Sequence, residues 1–158
     1  MTLTQNNLTI RPATQDDAKY LCKHWNAGGW DIGIDDVEEM LDGSTAQHII
    51  EVDGQVLGDI HYGDVEEKVA EIGVYIRNET YRGKGYGLVS LRIYASALFN
   101  TLGYEKIILN TSASNKSVRY ICENKFNLQP IIHENIEQPD GSLETVVEYV
   151  LKKENMHD

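Results

Sequence analysis

The run Arg82-Gly83-Lys84-Gly85-Tyr86-Gly87 is the stretch of this sequence whose residue types are best suited to bind an anion. Its alternate glycines lack a Cβ, so the chain can turn tightly and leave its backbone N–H groups uncovered. A strand pattern precedes the run, and an amphipathic helix follows it at once. Uncovered N–H groups at a helix N-terminus attract negative charge through hydrogen bonds and through the helix dipole. The run therefore predicts a site for a phosphate or pyrophosphate.

The spacing of this run excludes two common nucleotide-binding loops. A Walker A loop requires Ser or Thr after its lysine, and Lys84 is followed by a glycine. A dinucleotide loop requires a third glycine where this sequence has Leu88 or Ser90, depending on the starting position. The pattern that fits is Arg/Gln-x-x-Gly-x-Gly/Ala, with Arg82, Gly85 and Gly87 at the defined positions.

Composition limits the classes of partner. The 158 residues carry a net charge of −11, with a pI of about 4.8, which argues against nucleic acid and favours cationic ligands. Cys22 and Cys122 lie far apart, and the five histidines show no metal-ligand spacing, so we expect reduced thiols and no metal. The N-terminus lacks a signal-peptide pattern, and no apolar stretch approaches the ~20 residues of a membrane span. We expect one cytoplasmic domain over residues 1–158.

Hydrophobic periodicity divides the chain into strands and helices. Strand patterns cover 8–13, 47–52, 56–62, 69–76, 106–111, 126–133 and 143–151. Helix patterns cover 14–28, 35–41, 87–102 and 115–124. The order β-α-α-β-β-β-α-β-α-β-β indicates an α+β fold, with a mixed, mostly antiparallel sheet of about seven strands and helices on both faces.

Three separated segments, in this order, resemble one family. They are Arg11-Pro12-Ala13 with Asp16-Asp17, the glycine run, and Asn115-x-Ser117-Val118-Arg119 with Glu123-Asn124-Lys125-Phe126. The chain resembles, over nearly its full length, the GNAT superfamily of acyl-CoA-dependent N-acetyltransferases. The third segment is nearest to the branch that acetylates protein N-terminal amines, although many small-molecule acetyltransferases share it.

The resemblance implies acetyl-CoA as co-substrate and a set of residues that bind it. Backbone N–H groups of Arg82, Gly83, Lys84, Gly85, Tyr86 and Gly87 would hold the pyrophosphate. The backbone of Val74, Tyr75 and Ile76 would pair with the pantetheine arm, and one N–H there would polarise the acetyl carbonyl. Asn115 and Ser117 would lie near the pantetheine or the sulfur, or cap the following helix.

Amine acetylation requires a proton acceptor, because an alkylammonium with a pKa of ~10.4 lies roughly 4.6 kcal/mol from its neutral form at pH 7. The resemblance implies Glu71, at the start of the strand before the loop, as that base; ordered water is the alternative. The acid that protonates the leaving thiolate is Tyr120, Ser117 or water. Tyr120 lies one position before the usual tyrosine of the family, which is about 100° of helix rotation.

The acceptor pocket is implied to lie under the loop between the first two helices. Trp30 and Asp31 in that loop, together with Glu71, would form an acidic, aromatic rim that attracts a cation. A polyamine, an aminoglycoside or a peptide N-terminus would suit such a rim. A solvated acidic helix face explains the same carboxylates without any ligand.

These observations lead to one predicted function and one alternative. The predicted protein is an N-acetyltransferase that transfers acetyl from acetyl-CoA to a primary amine by direct attack in a ternary complex. The alternative is an acyl-CoA-binding regulatory module of the same fold without catalysis. Relatives often dimerise through the sheet edge or the C-terminal strands, so a homodimer is the assembly that the resemblance implies.

Overall fold

The computed structural model describes residues 1–44 and 46–156, which form an α+β fold around one sheet of eight strands. The strands are β1 (Leu3–Gln5), β2 (Leu8–Pro12), β3 (Gln47–Val52), β4 (Gln55–Glu66), β5 (Val69–Ile76), β6 (Lys106–Ser112), β7 (Ile131–Glu137) and β8 (Leu143–Lys152). Their order in the sheet is β1-β2-β3-β4-β5-β6-β8-β7. All neighbours are antiparallel except the parallel pair β5 and β6. The predicted fold class is confirmed.

The strand beyond the seven predicted is β1, a three-residue strand that pairs with β2 through a turn at Asn6. Asn6 has a φ of 55°, a conformation that asparagine tolerates better than most residues. Because β1 has only three residues, its sequence is too short to show the apolar alternation of a strand. The first predicted strand, 8–13, therefore corresponds to β2.

In the part of the chain that the structure describes, four α-helices connect the strands: α1 (Ala18–Ala27), α2 (Ile34–Leu41), α3 (Tyr86–Asn100) and α4 (Lys116–Tyr120). A π-helical turn, Ile121–Lys125, continues α4. The predicted helix 87–102 ends earlier than expected, and Leu102 lies outside it with 45% of its surface exposed. The predicted strand 126–133 begins only at Ile131, because Leu128 instead donates its N–H back to the carbonyl of Cys122 at 2.9 Å.

The helices cover the two faces of the sheet, as predicted. Leu91, Tyr94 and Leu98 of α3 pack with the large cluster of buried side chains on one face. Leu21 of α1 and Val37 of α2 pack against the other face in a smaller cluster. The two faces are called here the α3 face and the α1–α2 face. No helix in the described ranges is long and apolar enough to cross a membrane.

The parallel pair β5 and β6 separates towards its C-terminal ends. Paired positions extend from Val69 opposite Lys106 to Ile72 opposite Leu109. Beyond these positions β5 continues to Ile76 and β6 to Ser112 without further pairing between them. The strands thus open into a V, and the free edge of β5 offers backbone groups to a ligand.

Candidate active site

A cleft of about 860 Å³ lies where the V between β5 and β6 meets the N-terminal ends of α3 and α4. Most residues predicted to bind the co-substrate line this cleft: Val74, Tyr75, Ile76, Arg82, Gly83, Gly85, Tyr86, Gly87, Asn115 and Ser117. Tyr120, a predicted acid, also lines it. Sequence positions from three separate parts of the chain are therefore brought together at one place.

The glycine run forms the end of the cleft at the start of α3. Gly83 and Gly85 have φ values of 75° and 85°, which side chains other than glycine rarely adopt. Gly85 caps α3, and the four N–H groups from Gly85 to Leu88 donate no hydrogen bond within residues 1–44 and 46–156. A helix leaves its first N–H groups unsatisfied and carries partial positive charge there, so this end suits a phosphate group.

The two basic side chains of the run do not play equivalent roles. Arg82 donates from Nε to the carbonyl oxygen of Ile76 at 2.8 Å and lies 3.7 Å from Glu79. These contacts tie the loop to the end of β5. Lys84 does not line the cleft; its Nζ lies 5.9 Å from the centre of the Tyr81 ring.

Backbone groups of β5 are directed into the V. The N–H of Arg77 donates to the carbonyl of Leu57 in β4 at 2.8 Å. Because successive residues of a strand direct their backbone groups to opposite sides, those of Val74 and Ile76 are directed away from β4, towards the V. The N–H groups of these two residues are therefore available to polarise a carbonyl group or to pair with an extended ligand.

The N-terminal end of α4 supplies polar groups to the opposite wall. The Asn115 Oδ1 accepts a hydrogen bond from the N–H of Val118 at 3.2 Å, so this side chain caps the helix. Ser117 is exposed in the first turn. Tyr120 is 56% exposed, and the Nζ of Lys125 lies 5.8 Å from its ring centre. This helix therefore contributes the hydroxyl groups of Ser117 and Tyr120 to the cleft wall.

A buried ion pair supports the β5 wall from the α1–α2 face. Asp59 of β4 is fully buried and accepts hydrogen bonds from Arg77 Nε at 2.6 Å and Nη2 at 3.3 Å. The guanidinium carbon of Arg77 lies 4.5 Å from the centre of the Tyr75 ring. His61 stacks at 6.2 Å from Tyr75, in space that Gly73 leaves free. This arrangement fixes the Tyr75 ring at the cleft.

Sequence reasoning missed Arg77 and His24, which both line the cleft. Strand alternation places Arg77 on the same face as Glu71 and Tyr75, a signal that was present but unused. His24 lies on α1, and no local pattern shows that this helix reaches the cleft. Burial and the positive charge of Arg77 lower the pKa of His24, and the carboxylate of Asp59 acts in the opposite direction.

The predicted substrate residues lie outside the cleft wall. Glu71 is exposed, and its Oε2 accepts a hydrogen bond from Asn110 Nδ2 at 3.0 Å. Trp30 and Asp31 are exposed in the loop between α1 and α2, with Trp30 61% exposed. None of the three lines the cleft. The structure therefore separates the co-substrate residues from those predicted for the acceptor.

Comparison with known families decides the identity of the fold. The family model described as "Acetyltransferase (GNAT) domain" matches residues 7–124, about three quarters of the chain. The protein belongs to the GNAT acetyltransferase family.

Solved GNAT structures share the fold across almost the whole chain. A spermidine N-acetyltransferase SpeG variant from Vibrio cholerae aligns with a TM-score of 0.82 at 15% identity, covering 98% of each chain. A RimL ribosomal L7/L12 alpha-N-protein acetyltransferase in complex with coenzyme A gives 0.78 at 15% identity, covering 96% of this chain and 98% of that one. An N-acetyltransferase from Staphylococcus aureus gives 0.73 at 21% identity, covering 93% and 99%. No curated protein sequence matches the chain.

Membership of the GNAT family makes the protein an N-acetyltransferase with acetyl-CoA as co-substrate. The site fits that compound, because the free N–H groups of Gly85 to Leu88 suit its pyrophosphate and the V beside Val74 suits its extended arm. Within the described ranges, no group of three His, Cys, Asp or Glu residues is arranged to hold a metal ion.

Proposed function

We propose that this GNAT enzyme acetylates a primary amine on a cationic acceptor that approaches along the α1–α2 face of the sheet. One observation carries the proposal. Three carboxylates, Glu71 of β5 and Glu144 and Glu148 of β8, lie on this face of the sheet. Each contacts a polar side chain of the same face: Asn110 contacts Glu71, Ser112 contacts Glu144, and His133 contacts Glu148. We name this surface the acidic face.

The acidic face is bordered by two loops that meet above the sheet. A Cβ on Gly29, in the loop between α1 and α2, would lie 3.6 Å from the Cβ of Asp140 in the turn between β7 and β8. Trp30 and Asp31 follow Gly29 directly. An acceptor between the loops and the sheet would meet carboxylates on two sides, and their summed potential favours a cation.

We assign to Glu71, Asp31 and Trp30 the role of binding the positively charged groups of the acceptor. The two carboxylates attract the cationic parts of the acceptor, and an aromatic ring beside them adds a cation–π contact. The prediction that Glu71 is the general base remains a prediction. Glu71 lies four residues along β5 from Tyr75, about 13 Å at a rise of ~3.3 Å per residue.

Acetyl transfer proceeds by direct attack of the amine in a ternary complex. The N–H groups of Val74 and Ile76 polarise the acetyl carbonyl, and the hydroxyl of Tyr120 or of Ser117 supplies a proton to the departing thiolate. A covalent acyl-enzyme through Cys122 is not supported, because this thiol is fully buried and burial raises its pKa to about 12.

Release of CoA thiol from acetyl-CoA, measured against a panel of amines, tests the proposal. The panel holds spermidine, an aminoglycoside, free amino acids and peptides with free N-termini. We expect turnover with polycationic acceptors, and a rise in their KM of about tenfold in Glu148→Gln, since one attractive charge is lost. Turnover confined to neutral amino acids would contradict the proposal. An unchanged KM in Glu148→Gln would contradict it as well.

We also propose a homodimer that uses the edge strand β7. Its seven residues are all exposed. Large apolar side chains are exposed here and in β8: Ile131 (44%), Ile132 (50%), Ile136 (41%) and Leu143 (65%). An exposed apolar edge strand is a ready partner for a second copy. Light scattering of the purified protein should give twice the monomer mass, and Ile132→Lys should give the monomer; a monomeric wild type would refute the assembly.

A further inference from the structure

The cleft wall lacks a carboxylate. Its titratable side chains, apart from His24, are tyrosines, arginines and lysines. None of the aspartates and glutamates in the described ranges is part of the wall. Arginine and lysine side chains carry their proton at pH 7, and tyrosine is a poor proton acceptor there. Histidine is the residue type whose ordinary pKa allows it to accept a proton near neutral pH.

His24 presents a free imidazole to the cleft. Its ring lies 4.5 Å from the Tyr20 ring, tilted by 59°, so a neighbour one turn along α1 supports it. Neither ring nitrogen forms a hydrogen bond within residues 1–44 and 46–156. An accepting lone pair therefore remains for a ligand in the cleft.

The charges around His24 favour its neutral form. Burial lowers the pKa of His24, and the positive charges of Arg77 and Lys23 act in the same direction, against the carboxylate of Asp59. Tyr20 of α1 lies beside the ring and Tyr75 of β5 shares the cleft wall with it, and burial raises the pKa of both phenols. At pH 7 the imidazole is consequently ready to accept a proton.

His24 belongs both to the cleft wall and to the helix that covers the α1–α2 face. Its helix α1 covers the α1–α2 face, on which the acidic face lies, while its ring shares the cleft wall with Tyr75 and Arg77 of β5. We propose that an imidazole nitrogen of His24 accepts the proton that the acceptor amine loses during acetyl transfer. This inference rests on the proposed acetylation of an amine.

The step balances without any further reagent. The amine nitrogen forms a bond to the acetyl carbon, its N–H bond breaks, and the proton goes to His24. The carbon–sulfur bond breaks, the thiolate takes a proton from a cleft hydroxyl, and that oxygen regains a proton from solvent. The proton on His24 then leaves to solvent, which restores the neutral ring.

The test compares wild type, His24→Gln and the control Lys19→Gln, an exposed position on the same helix. Acetyl-CoA affinity is measured first by calorimetry, then kcat against pH at saturating substrates. We expect His24→Gln to bind acetyl-CoA within twofold of wild type and to lose about 100-fold in kcat at pH 7, a typical effect of removing a general base. The wild-type kcat should fall with unit slope on the acidic side of the ordinary histidine pKa, because burial lowers the pKa of His24, and this acidic limb should vanish in His24→Gln. Lys19→Gln should match wild type.

A second variant separates proton transfer from structure. In His24→Ala, added imidazole should restore at least a tenth of the wild-type kcat, since a small base can occupy the vacated space. An unchanged kcat and acidic limb in His24→Gln, or a loss confined to acetyl-CoA affinity, would overturn the assignment. If Glu71→Gln removes the acidic limb instead, the base is Glu71. If wild type itself acetylates no amine, the proposed function fails and His24 loses its role with it.

Discussion

Asp59 and Arg77 form an ion pair between β4 and β5 directly behind the cleft wall, with a distance of 2.6 Å from Nε to Oδ2. The Asp59 side chain is 0% exposed and that of Arg77 is 16% exposed. The pair holds Arg77 in place beside the Tyr75 ring. Removing Arg77 would leave the buried carboxylate of Asp59 without a counter-charge, and this lowers the free energy of unfolding.

Arg77→Met should destabilise the protein by about 3–5 kcal/mol, because it leaves the carboxylate of Asp59 buried without a counter-charge. Urea denaturation measures the loss. The double variant Asp59→Asn/Arg77→Met should recover part of it, since no buried charge then remains. Glu105→Gln is the control: Glu105 and Lys68 form an exposed pair at 3.6 Å, which is worth at most about 1 kcal/mol. Equal losses in Arg77→Met and Glu105→Gln would contradict the account.

Gly58→Ala should destabilise the β4–β5 pair next to the cleft. A Cβ at this position would lie 1.8 Å from the carbonyl oxygen of Tyr75, so the backbone itself must move. We expect a loss of about 3 kcal/mol or more in thermal or urea unfolding, together with weaker acetyl-CoA binding. Gly63→Ala in the same strand meets nothing within 4 Å and serves as the matched control. Similar stability of the two variants would refute the clash.

Gly85→Asp should abolish acetyl-CoA binding. The substitution forces a residue with a Cβ into a φ of 85° and places a negative charge where the pyrophosphate would lie. Saturating acetyl-CoA at a hundred times its Kd should raise the unfolding free energy of the wild type by about 2.7 kcal/mol, and that of the variant by almost nothing. Gly43→Asp, at a φ of 77° outside the cleft, controls for backbone strain. Retained affinity in Gly85→Asp would remove the loop from the site.

Tyr120→Phe should lower kcat about 10- to 100-fold while leaving the acetyl-CoA Kd unchanged, because the role proposed for its hydroxyl is to protonate the thiolate and not to bind the co-substrate. Stopped-flow detection of the free thiol measures the rate. Ser117→Ala is the comparison, since Ser117 is the other hydroxyl proposed for this step. A loss in Ser117→Ala alone would transfer the role to Ser117, and no loss in either variant would leave the step to water.

Stability should fall as the pH is lowered from 6.5 to 4, because of His48. Burial lowers the pKa of His48 to about 4, and the N-terminal amino group adds to this shift. Below pH 6.5 the unfolded chain binds a proton that the folded chain excludes, so folding loses up to about 3 kcal/mol by pH 4. Urea midpoints between pH 7 and pH 4 measure the slope.

A variant at the same position controls the pH prediction. His48→Gln keeps a hydrogen-bond partner for the Tyr94 hydroxyl, which lies 2.8 Å from His48 Nδ1, but has no group that titrates in this range. Its stability curve should be flatter than that of the wild type. Parallel curves would assign the acid sensitivity to other groups, such as His61, whose pKa burial also lowers.

Features encoded over a few neighbouring residues could be predicted from the sequence. The alternation of Ile72, Val74 and Ile76 identified β5, and the 3.6-residue period of Leu91 and Leu98 identified α3. The glycine run required φ values that few other residues adopt, so its turn could be predicted without any tertiary contact. Element order and the family followed from these local patterns, and errors were confined to ends and to the short strand β1.

Contacts between distant parts of the chain were decided by the tertiary structure. Asp59 lies next to Arg77 because β4 and β5 pair in one register, and a shift by one residue would turn each side chain to the other face. Glu71 meets Asn110 across the parallel pair, and α1 brings His24 to a cleft formed by residues far along the chain. Local periodicity carries no information on which helix covers which strand, since packing selects those partners from the whole chain.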